Sequence, residues 1–427
     1  MTKPKIAFAG MTHLGLISAV AASEKGFQVL CFDPDVNLIN SLKKSEPSIS
    51  EPQLIELMIK NHEHICFSSD PKTLQNFPVI YVAPDVSTDD QGQSNLRVIN
   101  ELLNIVFGNT TISNVIVVLS QVPPGFTRTK LQHNRPLYYQ VETLIFGQAI
   151  SRALSPERYI VGCLNPKQAL PEVYQQFLAV HHCPILMMRY ESAELAKISI
   201  NMCLVASIAT ANTLAELCEK IGADWAEIMP ALKLDKRIGQ YSYLSPGLGI
   251  SGGNLERDLA TVINYANQNG TDDGVVKAWI ENSKRRKNWI WGIFEKLGIE
   301  KIRDKRIGLL GLTYKENTHS LKNSPSLLFL SKLEGFNVIA YDPVAAVDAA
   351  PAYVGRVNSV LEVLKGAEIL VLATAWPEFR EINVKILLEN MAGKTVIDPY
   401  GLLDGNAIRS NDFIYFALGA SLVDIAP

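Results

Sequence analysis

The chain has 427 residues, enough for two or three domains, and is 47% hydrophobic and 19% charged, which suits a globular protein. Lys and Arg number 40 against 43 Asp and Glu, a net charge of −3, so composition gives no reason to expect nucleic acid or an anionic membrane as a partner. Six cysteines (Cys31, Cys66, Cys163, Cys183, Cys203 and Cys218) are scattered without metal-ligand spacing; they read as reduced thiols of a cytoplasmic protein, with no metal expected.

In chain order, Lys5–Gly10 predicts a buried strand that ends in glycine, followed by a helix over Leu14–Lys25 and a second strand over Gln28–Asp33. No signal-peptide core precedes the first strand. Further strands are expected at Val79–Ala83 and Val115–Leu119, with helical periods between them. Residues 190–222 contain no proline or internal glycine before Gly222 and predict one long helix. Its apolar run, 195–215, is the nearest approach to a membrane span, but Lys197, Asn201 and Asn212 interrupt it. A helix is expected over Val275–Lys296. From Lys305 the alternation restarts, with strands at Arg306–Gly311, Asn337–Asp342, Ile369–Ala373 and Thr395–Asp398. The expected fold class is α/β: two Rossmann-like, doubly wound domains joined by a long central helix and a helical dimerisation segment. The expected domains are 1–189 (cofactor-binding), 190–302 (central, helical) and 303–427 (C-terminal).

Gly10-Met11-Thr12-His13-Leu14-Gly15 stands at the turn where a Rossmann fold binds a dinucleotide diphosphate on backbone N–H groups and a helix N-terminus. Thr12 takes the place of the middle glycine of G-x-G-x-x-G. Asp33, at the end of the second strand, fits the acidic residue that accepts from the adenosine ribose and favours NAD over NADP. A βαβ turn without ligand is the competing reading.

The segment Leu234-Asp235-Lys236-Arg237-Ile238-Gly239, then Tyr243-Leu244-Ser245-Pro246-Gly247 and Gly252-Gly253-Asn254-Leu255-Glu256-Arg257-Asp258, resembles the substrate loop of the UDP-glucose/GDP-mannose dehydrogenase family. The resemblance extends over nearly the whole chain. It includes Val82-Ala83-Pro84, Ser120-Gln121-Val122-Pro123-Pro124-Gly125, Leu154-Ser155-Pro156-Glu157-Arg158, Glu194 with Lys197 and Asn201, Gly311-Leu312-Thr313-Tyr314-Lys315, Ser324-Pro325-Ser326, Tyr341-Asp342-Pro343 and Trp376-Pro377-Glu378-Phe379. Such a resemblance implies NAD as cofactor, a nucleotide sugar (UDP first) as substrate, a homodimer, and oxidation of a sugar alcohol to an acid through a cysteine nucleophile.

Carried over position by position, the resemblance implies catalytic roles for Lys197, Asn201, Asp258 and Glu142, with Asn254 at the place of the cysteine. It implies cofactor contacts at Gly10, Thr12, Leu14, Gly15, Asp33, Pro84 and Gln121, and substrate contacts at Arg237, Tyr243, Leu244, Gly249 and Lys315. Lysine suits an alkoxide and asparagine a sugar hydroxyl or water; aspartate suits proton transfer. Surface lysine, surface glutamate, and an Arg237 paired with Asp235 are the bland alternatives. The departures concentrate on reactive groups: Asn254 for the cysteine, Gln121 for a threonine, Phe146 for a second glutamate, Arg257 for a lysine and Lys322 for an arginine. The expectation is an NAD-dependent nucleotide-sugar oxidoreductase limited to a two-electron or transient oxidation. A complete 6-dehydrogenase by a non-thiol route and a silent binding homologue are the alternatives.

Overall fold

The computed structural model describes residues 3–87, 89 and 93–421. It divides into two compact units, Met1–Ile200 and Asn201–Pro427.

The first unit is built on eight strands: β1 (Ile6–Ala9), β2 (Val29–Phe32), β3 (Ile65–Ser68), β4 (Val79–Val82), β5 (Val115–Val118), β6 (Leu137–Gln140), β7 (Tyr159–Cys163) and β8 (Ile185–Arg189). Their spatial order is β3-β2-β1-β4-β5-β6-β7-β8. All neighbours are parallel except β6 and β7. Strands β1, β2, β4 and β5 are buried at every residue, as expected where both faces of a parallel sheet are covered. Helix α1 (His13–Glu24) is buried around most of its circumference, from His13 to Ser23 with only Ser18 less enclosed. This explains why its sequence lacks an amphipathic stripe. Apolar side chains gather in separate cores on the two faces of the sheet.

The second unit repeats the plan with β9 (Arg306–Leu310), β10 (Asn337–Tyr341), β11 (Gly355–Arg356), β12 (Ile369–Leu372), β13 (Thr395–Ile397) and β14 (Ile414–Phe416), in the order β11-β10-β9-β12-β13-β14 and all parallel. It too has one core on each face. Strand order reverses between β1 and β4 in the first sheet and between β9 and β12 in the second. Those two crevices are the switch points at which open α/β sheets bind ligands.

A single helix, Tyr190–Ile221, links the two sheets; we call it the spine helix. It ends at Gly222, whose φ is +79°. It is long and apolar enough to cross a membrane. Two of its buried polar side chains are nevertheless engaged by protein backbone: Glu194 is fully buried and accepts from the Gly125 and Thr127 N–H groups at 2.5 and 2.8 Å, and Asn212 accepts from Gly247 N at 2.8 Å.

The helix expected over Val275–Lys296 is two helices, Gly274–Lys287 and Trp289–Leu297, parted at Asn288. The first ends on four consecutive cations, Lys284–Lys287, which suit a helix C-terminus. The second turns Ile290, Ile293 and Phe294 into the core of the second sheet. The sequence reading did not anticipate β3, β6, β7, β8, β11 or β14. Of these, β3 and β8 are only partly buried and lack the fully apolar run of a central strand, whereas β7 is buried throughout but carries Gly162 within its run.

Candidate active site

The cofactor turn is shaped by two glycines. Gly10 has φ +97°, and a side chain there would meet Pro84 N at 2.8 Å; a Cβ on Gly15 would stand 1.9 Å from the Gly10 carbonyl oxygen. Only glycine lets the turn close this tightly before α1 begins. Leu14 is buried beneath it, and Pro84 is buried at the end of β4. Asp33 accepts from Met11 N at 2.8 Å and Asp35 N at 3.0 Å. The acid is thus anchored to the turn it was expected to complement. The cradle, the helix N-terminus and an acid at the end of β2 fit a dinucleotide.

Thr12 Oγ1 accepts from Asp85 N at 2.8 Å, and an Asp85 carboxylate oxygen accepts from His13 N at 3.0 Å. Asp85 was not among the residues expected from the sequence. Its signal was its place directly after Val82-Ala83-Pro84, at the carboxyl end of β4, where the switch-point rule puts ligand-facing groups. His13 is bound to Glu51 at 3.1 Å, and Phe146 lies over its ring at a centroid distance of 4.2 Å. Gln121 is half-buried at the end of β5.

Two expected catalytic residues meet in the first unit. Lys197 Nζ is 2.7 Å from Glu142, both largely shielded from solvent, and Glu142 also accepts from Leu144 N at 2.9 Å. Ion pairs shielded in this way are costly to break by deleting one partner.

Two others meet in the second unit. Asn201 donates to Asp258 at 2.5 Å, and Arg257 Nε donates to the other carboxylate oxygen of Asp258 at 2.9 Å. Asp258 is fully buried. Arg257, noted in the sequence only as a departure, thus supplies the countercharge for this acid.

Asn254 is the exposed first residue of the helix Asn254–Asn269. A thiol at a helix N-terminus would be pushed toward thiolate; an amide there cannot become a nucleophile. Cys203 does not replace it. It lies two residues beyond Asn201, about 200° around the helix, and is exposed where Asn201 is buried. Cys163 is also unsuited: its thiol is buried in β7, faces the Met188 carbonyl at 3.4 Å, and is held protonated by that burial.

Of the residues expected to contact substrate, Arg237 forms a bidentate pair with Asp235, at 3.0 and 2.6 Å, and is otherwise exposed. Tyr243 is exposed. Leu244 is buried and its carbonyl accepts from Trp225 Nε1 at 2.8 Å. Gly249 packs against the helix Gly274–Lys287, where a Cβ would meet the Ser283 carbonyl oxygen at 2.5 Å. Lys315 lies over the Tyr314 ring at 5.8 Å. Gly252 is required by packing, since a Cβ there would meet the Tyr314 ring at 2.5 Å; one on Gly253 would lie close against the Lys322 side chain, at 3.0 Å.

The C-terminal turn repeats the N-terminal one. Asp342 accepts from Leu312 N and Thr313 N at 2.7 and 3.0 Å, and from Val344 N and Ala345 N at 3.0 and 2.8 Å. Burial works against its charge, but these N–H groups outweigh it and hold the carboxyl below the ordinary range.

Three domain models of one family match the chain: the NAD-binding domain over residues 4–178, the central domain over 191–284 and the UDP-binding domain over 308–405 of the UDP-glucose/GDP-mannose dehydrogenase family. The chain is 28% identical to a UDP-glucose 6-dehydrogenase of Bacillus subtilis, covering 98% of this chain and 94% of that one. It is 27% identical to a UDP-glucose 6-dehydrogenase of Rickettsia conorii, covering 98% and 100%. In fold it is similar to a UDP-glucose dehydrogenase from Pyrobaculum islandicum, with a TM-score of 0.84 at 23% identity over 98% of both chains. A UDP-D-ManNAc dehydrogenase from Pyrococcus horikoshii gives a TM-score of 0.82 at 22% identity, over 97% of this chain and 99% of that one. The chain belongs to the UDP-glucose/GDP-mannose dehydrogenase family and is an NAD-dependent nucleotide-sugar oxidoreductase of it.

Proposed function

We propose that this chain removes two electrons from a UDP-sugar alcohol, as a net oxidation to a carbonyl or as a transient oxidation within an epimerisation, and does not proceed to the acid. The observation that carries this reading is Asn254, an amide at the helix N-terminus where a nucleophilic thiol would have to stand. NAD, when bound, supplies a hydride acceptor. The ammonium of Lys197, offset by Glu142, stabilises the alcohol oxygen as the hydride leaves the adjoining carbon to NAD and the hydroxyl proton passes to solvent water. Asn201 orients a sugar hydroxyl or water, and Asp258, neutralised by Arg257, holds the Asn201 amide in place. Without a thiol there is no covalent intermediate to present for a second oxidation.

The substrate class follows from the match to the family's UDP-binding domain and from the two relatives named as UDP-glucose 6-dehydrogenases. Arg237, Tyr243, Leu244, Gly249 and Lys315 are its proposed contacts, within a scheme of domains 1–189, 190–302 and 303–427. The central segment also mediates a homodimer in this reading, in the cytoplasm. Leu214, Leu217 and Ile221 form an exposed apolar stripe at helical spacing on the spine helix, suited to a two-fold contact with a second copy. Sedimentation of Leu217→Glu as a monomer would support this, and an unchanged sedimentation coefficient would refute it.

The reaction is tested by incubating the purified protein with NAD and UDP-sugars and analysing the products by mass spectrometry. One NADH per carbonyl product, trapped with hydroxylamine, or an epimer with no net NADH, supports the proposal. A sugar acid formed with two NADH per molecule overturns it.

A further inference from the structure

The family's cofactor needs its diphosphate at the start of α1, where backbone N–H groups lack partners within the helix and the helix dipole favours negative charge. In this chain a negative charge is already present there. Asp85 is a surface residue of the segment after β4, but its carboxylate is turned onto the first turn of α1, 3.0 Å from His13 N. Thr12 contributes from the other side of the crevice. Its hydroxyl oxygen accepts from Asp85 N at 2.8 Å and lies 3.5 Å from the Ala83 carbonyl oxygen. The loops after β1 and β4 bound the crevice at the switch point of the first sheet. Thr12 and Asp85 therefore staple the two lips of the site to each other.

Each partner is needed. A glycine at position 12 would have no side chain to bind Asp85 N. A residue without a carboxylate at position 85 would leave the His13 N–H open to a ligand. The His13 side chain is engaged elsewhere, its ring against Phe146 and its Nε2 with Glu51, so the contact to Asp85 is made by its backbone N–H alone. Burial also raises the Asp85 carboxyl above its ordinary range, opposed by the Thr12 contact and by the His13 and Leu14 N–H groups.

We propose that Asp85 is an intramolecular competitor of the cofactor diphosphate: its carboxylate occupies the anion position at the start of α1, and dinucleotide binding requires it to leave. Thr12 is a positioning residue for this competitor. The inference rests on the cofactor assignment and adds a residue that sets the affinity for NAD without needing to touch it.

Calorimetric titration of NAD into wild-type protein, Asp85→Ala, Asp85→Asn and Thr12→Gly tests the proposal. Thermal melting would confirm that each variant is folded. Asp85→Ala removes the charge and the acceptor, and NAD is expected to bind at least tenfold more tightly. Asp85→Asn keeps an acceptor for His13 N–H but loses the charge, so a smaller gain in the same direction is expected. Thr12→Gly is expected to fall between wild type and Asp85→Ala. Amide exchange at His13 gives a readout independent of the cofactor: without ligand, this N–H should lose protection in Asp85→Ala. NAD binding by Asp85→Ala no tighter than by wild type overturns the competitor while leaving NAD as the cofactor. Weaker binding overturns it in favour of Asp85 as a cofactor ligand. If neither wild type nor any variant binds NAD, the competitor and the cofactor assignment fall together.

Discussion

The turns after β1 and β9 are built alike and lead to different surroundings. In both, a glycine with positive φ is followed by an apolar residue and a threonine: Gly10-Met11-Thr12 and Gly311-Leu312-Thr313. In both, an aspartate at the end of the neighbouring strand accepts from the turn's backbone, Asp33 from Met11 N and Asp342 from Leu312 N. In both, a threonine hydroxyl ties the two lips of the switch point, Thr12 to Asp85 N and Thr374 to the Thr313 carbonyl oxygen. The chain beyond each turn differs. Helix α1 begins at His13, immediately after the first turn, whereas the next helix after the second begins at Pro325. The aspartate and threonine are therefore architecture common to both halves. The anion site in the first half comes from the helix N-terminus, and Asp85 competes for that feature.

The largest expected effect comes from breaking the device where it is most buried. Asp342→Ala would strand several N–H groups that the carboxylate now satisfies, including Trp376 Nε1 at 3.3 Å, at a cost of about 4 kcal/mol. Asp33→Ala, with two backbone partners and partial exposure, should cost about 1–2 kcal/mol. Urea unfolding of the two variants would measure the gap; equal costs would end the claim that Asp342 is the more heavily engaged of the two aspartates.

The pH dependence sharpens the same contrast. The folded Asp342 carboxyl lies below its unfolded value of about 3.9. Its stabilisation is fully present above that unfolded value and is lost as pH falls through the folded one. The stability difference between wild type and Asp342→Ala should therefore narrow only below about pH 4, and a difference that narrowed already near pH 6 would contradict this assignment.

The chemistry is expected to reside in neither turn. Lys197→Ala should lower turnover by about 100-fold while NAD affinity stays near that of wild type, read by steady-state kinetics beside calorimetry. A variant that turned over normally would remove Lys197 from the reaction. The smallest effect belongs to the lip ties: Thr374→Val should cost about 1 kcal/mol for one buried hydrogen bond. Thr12→Val should cost less, because Asp85 N can turn to water. Thermal melting of the pair would rank them.

Much of this was legible in the residues. Alternating apolar runs and terminal glycines located the central strands of both sheets, and the glycine–strand–aspartate echo between Gln28–Asp33 and Asn337–Asp342 revealed the duplication. The edge strands β3, β8, β11 and β14 carry no run buried from end to end, and β7, though buried throughout, has its apolar run interrupted by Gly162. Among the candidate site residues, Lys197, Glu142, Asn201 and Asp258 could each be singled out by the family resemblance, but their pairings could not. Nothing in sequence spacing ties position 142 to 197 or 201 to 258. Asp85 is marked in the sequence only by its place after Val82-Ala83-Pro84 at the end of β4; its contact with the first turn of α1 is not.

Local chemistry along the chain determined where the strands end, where glycine was required, that the spine helix would run unbroken to Gly222, and that Asn254 offers no nucleophile. These depend on neighbouring residues and on the atoms of one side chain. Only the folded chain decided which carboxylate faces which cation or amide, because pairs such as Glu142–Lys197 and Asn201–Asp258 join segments far apart in sequence that tertiary packing brings together. The reversal between β1 and β4 brings Asp85, more than seventy residues away in sequence, against the first turn of α1.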